Sequence, residues 1–253
     1  IDLSRDNIEN RLDGACARYL NYKKKFKIMP DALFIQGNAN QNIKNLSSQF
    51  TEKGKQITKA VFGEGPKDEQ LLGKGVLKSY GKGGNGFNIS SIQFALHYMF
   101  ENASTLHNFL TNIAECTKLG GYFIGTSYDG KKIFDLLKDK KQNESFTIMD
   151  REKSNKLLEI TKQYDRDEFN DNISCLGYGI NVFQESINKT FREYLVNYDY
   201  LISILENYGF VQLTIDEIRE LNLTSGIGNF NELFDIMTNE IKRDSKKRND
   251  YGI

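Results

Sequence analysis

The chain has 253 residues, 39% of them hydrophobic and 12% aromatic, enough for one large domain or two small ones around a substantial core. Its 34 basic and 34 acidic side chains cancel, which argues against a broad basic surface for nucleic acid and leaves room for a local site. Cys16, Cys116 and Cys175 form no CxxC pair, so no zinc site or disulfide framework is expected, only buried free thiols in a reducing, intracellular compartment. No apolar run approaches the roughly 18 residues of a membrane span.

In chain order, Ile1 to Ser4 reads as the end of a strand, with Asp2 near its carboxyl end. A helix follows, with Ile8, Leu12, Ala15 and Tyr19 at helical spacing and Ser4 or Asp6 as its cap. Tyr22 to Lys27 closes it and Pro30 marks the break before a short buried strand, Ala32 to Ile35, stopped at Gly37-Asn38. Residues 38–86 are polar, with one or two short helices, for instance around Ile57 to Phe62. Gly81 to Gly86 reads as a flexible loop rather than a phosphate loop, because it precedes a strand and lacks the Gly-Lys-Ser/Thr ending. Phe87 to Phe94 is a strand, Leu106, Leu110 and Ile113 mark a helix stopped at Gly120-Gly121, and Tyr122 to Gly125 is a further strand ending in a turn. This alternation predicts a parallel sheet wrapped by helices.

The middle of the chain departs from that rhythm. Phe146 to Ile148, Leu157 to Ile160 and Ser174 to Phe183 run as strands without helices between them, which predicts an antiparallel insertion. A helix from about Asp199 to Tyr208, ended by Gly209, leads to a strand over Phe210 to Leu213. The tail from Phe230 is helical, and the charge run from Lys242 to Asp250 is expected to be a solvated face.

Ligands of an open parallel sheet bind outside the carboxyl ends of its strands. Asp2 stands at such an end, either accepting from two ribose hydroxyls or simply preceding a helix. Asn38 is either an acceptor for an adenine amine or half of a Gly-Asn turn. The most informative segment is Ser91-Ile92-Gln93-Phe94-Ala95-Leu96-His97-Tyr98-Met99-Phe100-Glu101, which places an amide, a histidine, aromatics and an acid where the sheet opens to ligand.

That segment closely resembles the signature of eukaryotic and viral mRNA cap guanine-N7 methyltransferases, a strand leading into Gln-Phe-x-x-His-Tyr-x-Phe-Glu. The likeness continues through Leu119 to Thr126 and at Arg192-Glu193-Tyr194-Leu195-Val196, and its flavour is that of capping enzymes of large cytoplasmic DNA viruses. The resemblance implies an α/β, Rossmann-like S-adenosylmethionine-dependent methyltransferase fold with an antiparallel β insertion. It further implies one domain over residues 1–253, incomplete at both ends, with the inserted β subdomain at about 140–195. S-adenosylmethionine would be the cofactor, with Asp2 at its ribose, Asn38 at its adenine, and Gln93 and Phe94 near its methionine part. His97 and Tyr98 would hold and stack on the cap guanine, Glu193 would accept from its Watson–Crick edge, and Arg18 would meet the triphosphate. No residue would act as a general base and no metal is implied. The partner would be the capped 5′ end of mRNA, with guanylyltransferase and triphosphatase domains in the same polypeptide and no membrane.

The sequence departs from the pattern at Asn38 and Asn88, where the family usually has Asp, and at Ile92, where Cys is common. The glycine-rich loop after the first strand is not found, and the last strand is not reached. The chain is therefore expected to be a piece of a longer protein, lacking the first and last strands and unable to bind cofactor alone. A small-molecule methyltransferase and a catalytically silent module of the same fold are the alternatives.

Overall fold

The computed structural model describes residues 1–244 and Arg248, so the expected charge run to Asp250 lies partly outside the described residues. Two compact units are present, residues 1–210 and 211–253.

The first unit opens on Asp2, which bridges Gln36 in parallel; Asp2 N donates to Ile35 O (3.2 Å) and Gly37 N to Asp2 O (2.9 Å). The strand expected over Ala32 to Ile35 goes no further than this bridge, since no other residue of that run exchanges ladder hydrogen bonds with Ile1 to Ser4. The single helix expected after Ser4 is two helices, α1 (Arg5–Glu9) and α2 (Ala15–Lys25). Ser4 caps α1, its Oγ accepting from Asn7 N. The break has a local cause: Asn10 Oδ1 accepts from Leu12 N at 2.9 Å, and a Cβ on Gly14 would stand 2.6 Å from Asn10 N. Leu12, 88% exposed, then falls outside the apolar face that Ile8 begins.

Residues 38–86 hold three short helices, α3 (Glu52–Phe62), α4 (Glu69–Leu72) and α5 (Lys74–Leu77), around Ala60, Leu72 and Val76. The glycine-rich stretch is a loop, but a tethered one, because Gly81 N and Gly83 N donate to Ala60 O and Val61 O at 2.8 Å.

Strands β1 (Phe87–Gln93) and β2 (Thr117–Thr126) pair in parallel through the crossover helix α6 (Ala103–Cys116). The apolar face of α6 (Leu106, Phe109, Leu110, Ile113) packs with Leu96, Met99 and Phe100 in the largest core cluster. The helix ends at Cys116, not at Gly120-Gly121, because β-branched Thr117 is already extended and pairs with Phe87. The two glycines lie inside β2, where a Cβ on Gly121 would sit 2.9 Å from Asn88 O. Asp129 caps α7 (Gly130–Leu136), where the sequence suggested only a turn.

The expected antiparallel insertion is a four-stranded sheet of β3 (Ser145–Met149), β4 (Lys156–Lys162), β5 (Gly179–Gln184) and β6 (Lys189–Tyr194), in that order. Ile160, Ile180 and Val182 on one face pack with Tyr164, Tyr178 and Leu195 in a second core. Helix α8 (Tyr198–Glu206) follows, and Gly209 takes φ +82° just beyond it.

The second unit carries α9 (Ile215–Glu220) and α10 (Phe230–Arg243), both opened by capping boxes. The strand expected over Phe210 to Leu213 does not form; the segment makes no ladder contact among the described residues. Cys116 and Cys175 are buried free thiols and Cys16 is half-buried. No described helix is long and apolar enough to cross a membrane, and no His, Cys, Asp or Glu cluster among the described residues is arranged to hold a metal.

Candidate active site

At the carboxyl end of β1 the backbone turns abruptly. Phe94 adopts φ +52°, a left-handed conformation that costs a non-glycine residue about 1 kcal/mol or more. The turn is held by Phe94 N donating to Thr126 O (3.1 Å) and Thr126 Oγ1 (3.0 Å). Gln93 is pinned at both ends of its amide, donating to Ser91 Oγ (3.0 Å) and accepting from Thr126 Oγ1 (2.9 Å). A short 3₁₀ turn over Leu96–Phe100 then buries Leu96, His97, Met99 and Phe100 and leaves Tyr98 at the surface of a cavity.

That cavity measures about 1450 Å³ and is lined by Asp2, Asn38, Gln93, Phe94, His97, Tyr98 and Glu193. Seven of the eight residues singled out from the sequence therefore meet in one place, although they come from four separated segments. A single small-ligand site usually occupies about 300–1,000 Å³, so there is room here for two ligands side by side.

Arg18 does not reach the main cavity. It lines an adjoining one of about 820 Å³ that shares Asp2, Phe94 and Ile187 with the first. Its guanidinium donates to the Asp13 carbonyl, which anchors it at the break between α1 and α2.

One end of the main cavity is polar in a particular way. His97 and Glu193 are both buried, 6% and 8% exposed, and His97 Nε2 lies 3.8 Å from Glu193 Oε1, too far for a hydrogen bond. Both ring nitrogens of His97 and Oε2 of Glu193 lack hydrogen-bond partners. Burial pushes His97 down to about 4 and Glu193 up to about 7. At neutral pH the imidazole is uncharged, so the contact is not an ion pair. The Tyr98 ring meets His97 edge-on at 4.3 Å, and burial followed by the Glu193 charge raises its phenol.

At the other end, Asp2 Oδ1 accepts from Ser4 N (2.8 Å) and Asn7 Nδ2 (3.2 Å), while Oδ2 has only a 3.4 Å contact with Asn7. Asp2 thus serves the turn into α1 and still presents an oxygen to the cavity. The Asn38 side-chain oxygen already accepts from Asn40 N at 2.9 Å, as a turn-forming residue would. The less committed amide is Asn40, whose Oδ1 is buried without a partner and which lines the same cavity.

Sequence reasoning passed over Asn40, Tyr128 and Gln184, all of which line the main cavity. Tyr128 stands two residues beyond the carboxyl end of β2, the region where parallel strands present ligand contacts, so a signal was there to be read. Gln184 sits at the end of an insertion strand and carries no such signal.

The sequence matches the family described as the mRNA (guanine-N(7))-methyltransferase domain over residues 70–251. It is 27% identical to the "Probable mRNA-capping enzyme" of Acanthamoeba polyphaga mimivirus, over all of this chain and 19% of that protein. It is 30% identical to the "mRNA cap guanine-N(7) methyltransferase" of Debaryomyces hansenii, over 48% of this chain and 22% of that protein. The enzyme of the same name from Saccharomyces cerevisiae is 30% identical over 48% of this chain and 28% of its own length. The chain thus spans 19% to 28% of the length of these relatives. With a match that covers well over half of the chain, this protein belongs to the mRNA (guanine-N(7))-methyltransferase domain family.

Proposed function

We propose that this domain methylates N7 of the guanosine cap of mRNA with S-adenosylmethionine as methyl donor. The observation that carries the reading is the convergence of Asp2, Asn38, Gln93, Phe94, His97, Tyr98 and Glu193 on one cavity large enough for a cofactor and a nucleotide. Its donor set fits the cofactor. Asp2 Oδ2 offers an acceptor for ribose hydroxyls, and the unpartnered Asn40 Oδ1 offers one for an adenine amine. Apolar Ile35, Ala39, Ile43 and Phe109 line the space for the base. Arg18, in the adjoining cavity that shares Phe94 and Ile187 with the first, would meet the phosphate chain.

The cofactor supplies an electrophilic methyl on a sulfonium whose leaving group is a neutral thioether. Guanine N7 bears a free lone pair and no proton, so no residue need act as a general base. What the chain provides is orientation. Tyr98 offers a ring face for stacking on the base. Glu193 accepts from the N1–H and the exocyclic amine and opposes the positive charge that the purine gains on methylation. His97, uncharged beside it, leaves that negative field uncancelled. In a longer polypeptide, guanylyltransferase and triphosphatase domains would supply the capped end; the mimivirus relative is named a probable capping enzyme and is about five times as long as this chain.

The reading is tested with the full-length protein, capped RNA and labelled S-adenosylmethionine. Glu193→Ala and Tyr98→Ala should each lower methyl transfer by about tenfold or more, the loss of one charged contact or one stacking platform. Wild-type rates in both variants, or no transfer to capped RNA by the parent protein, would sink it.

A further inference from the structure

Two further side chains stand on the Glu193 side of the cavity. In the β5–β6 ladder Ile180 pairs with Glu193, Val182 with Phe191 and Gln184 with Lys189. Directly paired residues share a face, and alternate residues of a strand return to it, so Gln184 and Glu193 project from the same face of the insertion sheet. From that face Gln184 Nε2 donates to the Tyr128 hydroxyl, and both residues line the cavity.

The hydroxyl has a further capacity. A phenol carries one donor and accepts as well, and here the acceptor side is taken by the amide. No acceptor for the phenol's own hydrogen is found among the described residues; the backbone of Tyr128 is engaged separately, its carbonyl accepting from Ser127 Oγ. A hydroxyl that accepts from an amide is also polarised to donate more strongly. Tyr128 is therefore a fixed donor beside a carboxylate acceptor, and the charge of Glu193 is felt at the phenol.

Guanine presents a matching edge: an acceptor, O6, next to two donors, N1–H and the exocyclic amine. A carboxylate takes the two donors, and a donor beside it must take O6. Tyr98 is poorly placed for that task, because a ring stacked on the base holds its hydroxyl out of the base plane. The imidazole of His97, also beside Glu193, can take only one of the two lone pairs of O6 and leaves the other for Tyr128. Building on the cap-methylation reading, we propose that Tyr128, positioned by Gln184, donates to O6 of the cap guanine and is a specificity-determining residue of this site. An adenine would turn its N1 lone pair toward the carboxylate and its amine toward a donor, so both contacts would be lost.

The experiment compares binding of two dinucleotide cap analogues to the full-length protein by calorimetry. One carries guanine and the other 6-thioguanine, which keeps the N1–H and the amine but has a poorly accepting sulfur in place of O6. The parent protein should prefer guanine by about tenfold, the worth of one buried hydrogen bond whose loss strands a partner. Tyr128→Phe should cut that preference by about threefold or more, and Gln184→Leu should weaken it. An undiminished preference in Tyr128→Phe overturns the assignment and leaves cap methylation standing, with the O6 donor elsewhere. A parent protein that binds both analogues equally also overturns it. Failure of the parent to bind either analogue removes the cap reading itself. Because the two ligands are compared within one variant, general loss of folding moves both affinities and not their ratio.

Discussion

Glu193 and His97 show how burial alone sets two charge states. Each is displaced from its ordinary value by desolvation, in the direction that favours its neutral form. For the carboxylate, the upward shift from 4.5 to about 7 stabilises the fold below 4.5, a contribution lost as pH rises through about 7. For the imidazole, the downward shift from 6.5 to about 4 stabilises the fold above 6.5, lost as pH falls through about 4. Under the proposed role of Glu193, binding should follow the ionised carboxylate, because only that form accepts from both guanine donors. Affinity for a guanine cap analogue should therefore rise roughly tenfold between pH 6 and pH 8, tracking the deprotonated fraction of a group near 7. Titration of affinity against pH in the parent protein and in Glu193→Gln checks this. A slope that survives the substitution would assign the titration to another group.

The elements around the site are joined at a few close backbone approaches. Gly130, the first residue of α7, donates its N–H to Val196 O at 3.0 Å, just beyond the strand that carries Glu193. A Cβ there would collide with the Val196 carbonyl oxygen and lie 2.7 Å from Val196 N, both rigid backbone atoms. Gly130→Ala should destabilise the protein by about 1–3 kcal/mol, as overpacked sites do, and displace the end of β6. Urea unfolding measures the loss, and an unchanged midpoint would mean that α7 can shift without cost. The Tyr194 hydroxyl, which donates to Glu101 Oε1 at 3.0 Å, ties the same end of β6 to the segment that carries His97 and Tyr98. The segments that carry His97, Tyr98 and Glu193 are thus braced from both sides.

For the molecule as a whole, strands were more legible than helix boundaries. β1 to β4 follow runs of apolar or alternating residues that need no distant information, whereas the run expected as a strand from Ser174 opens on a 3₁₀ turn over Ile173–Cys175 and becomes β5 only from Gly179. The strand predicted over Phe210 to Leu213 has the same composition but finds no ladder partner, and composition does not supply one. Helix α7 has seven residues and opens on Gly-Lys-Lys after Asp129, which reads as a turn until the capping hydrogen bonds to Lys131 N and Lys132 N are seen. Within the site, the contiguous Gln93 to Tyr98 block and the Glu193 block carry the family likeness, and they do meet. Tyr128 and Gln184 lie 56 residues apart and are brought together only by the folding of the insertion, which no local pattern reports.

The two unpartnered groups at the head of the cavity also bear on how the domain can change. An interior acid with one unpartnered oxygen and an imidazole with neither nitrogen paired are a standing cost, and their replacement by apolar side chains relieves it. Selection for thermal resistance alone would therefore erode this corner first, and the variants it favoured would be sturdier proteins without the proposed contacts to a purine. The presence of His97 and Glu193 in so awkward a setting is what the proposed chemistry accounts for and packing does not.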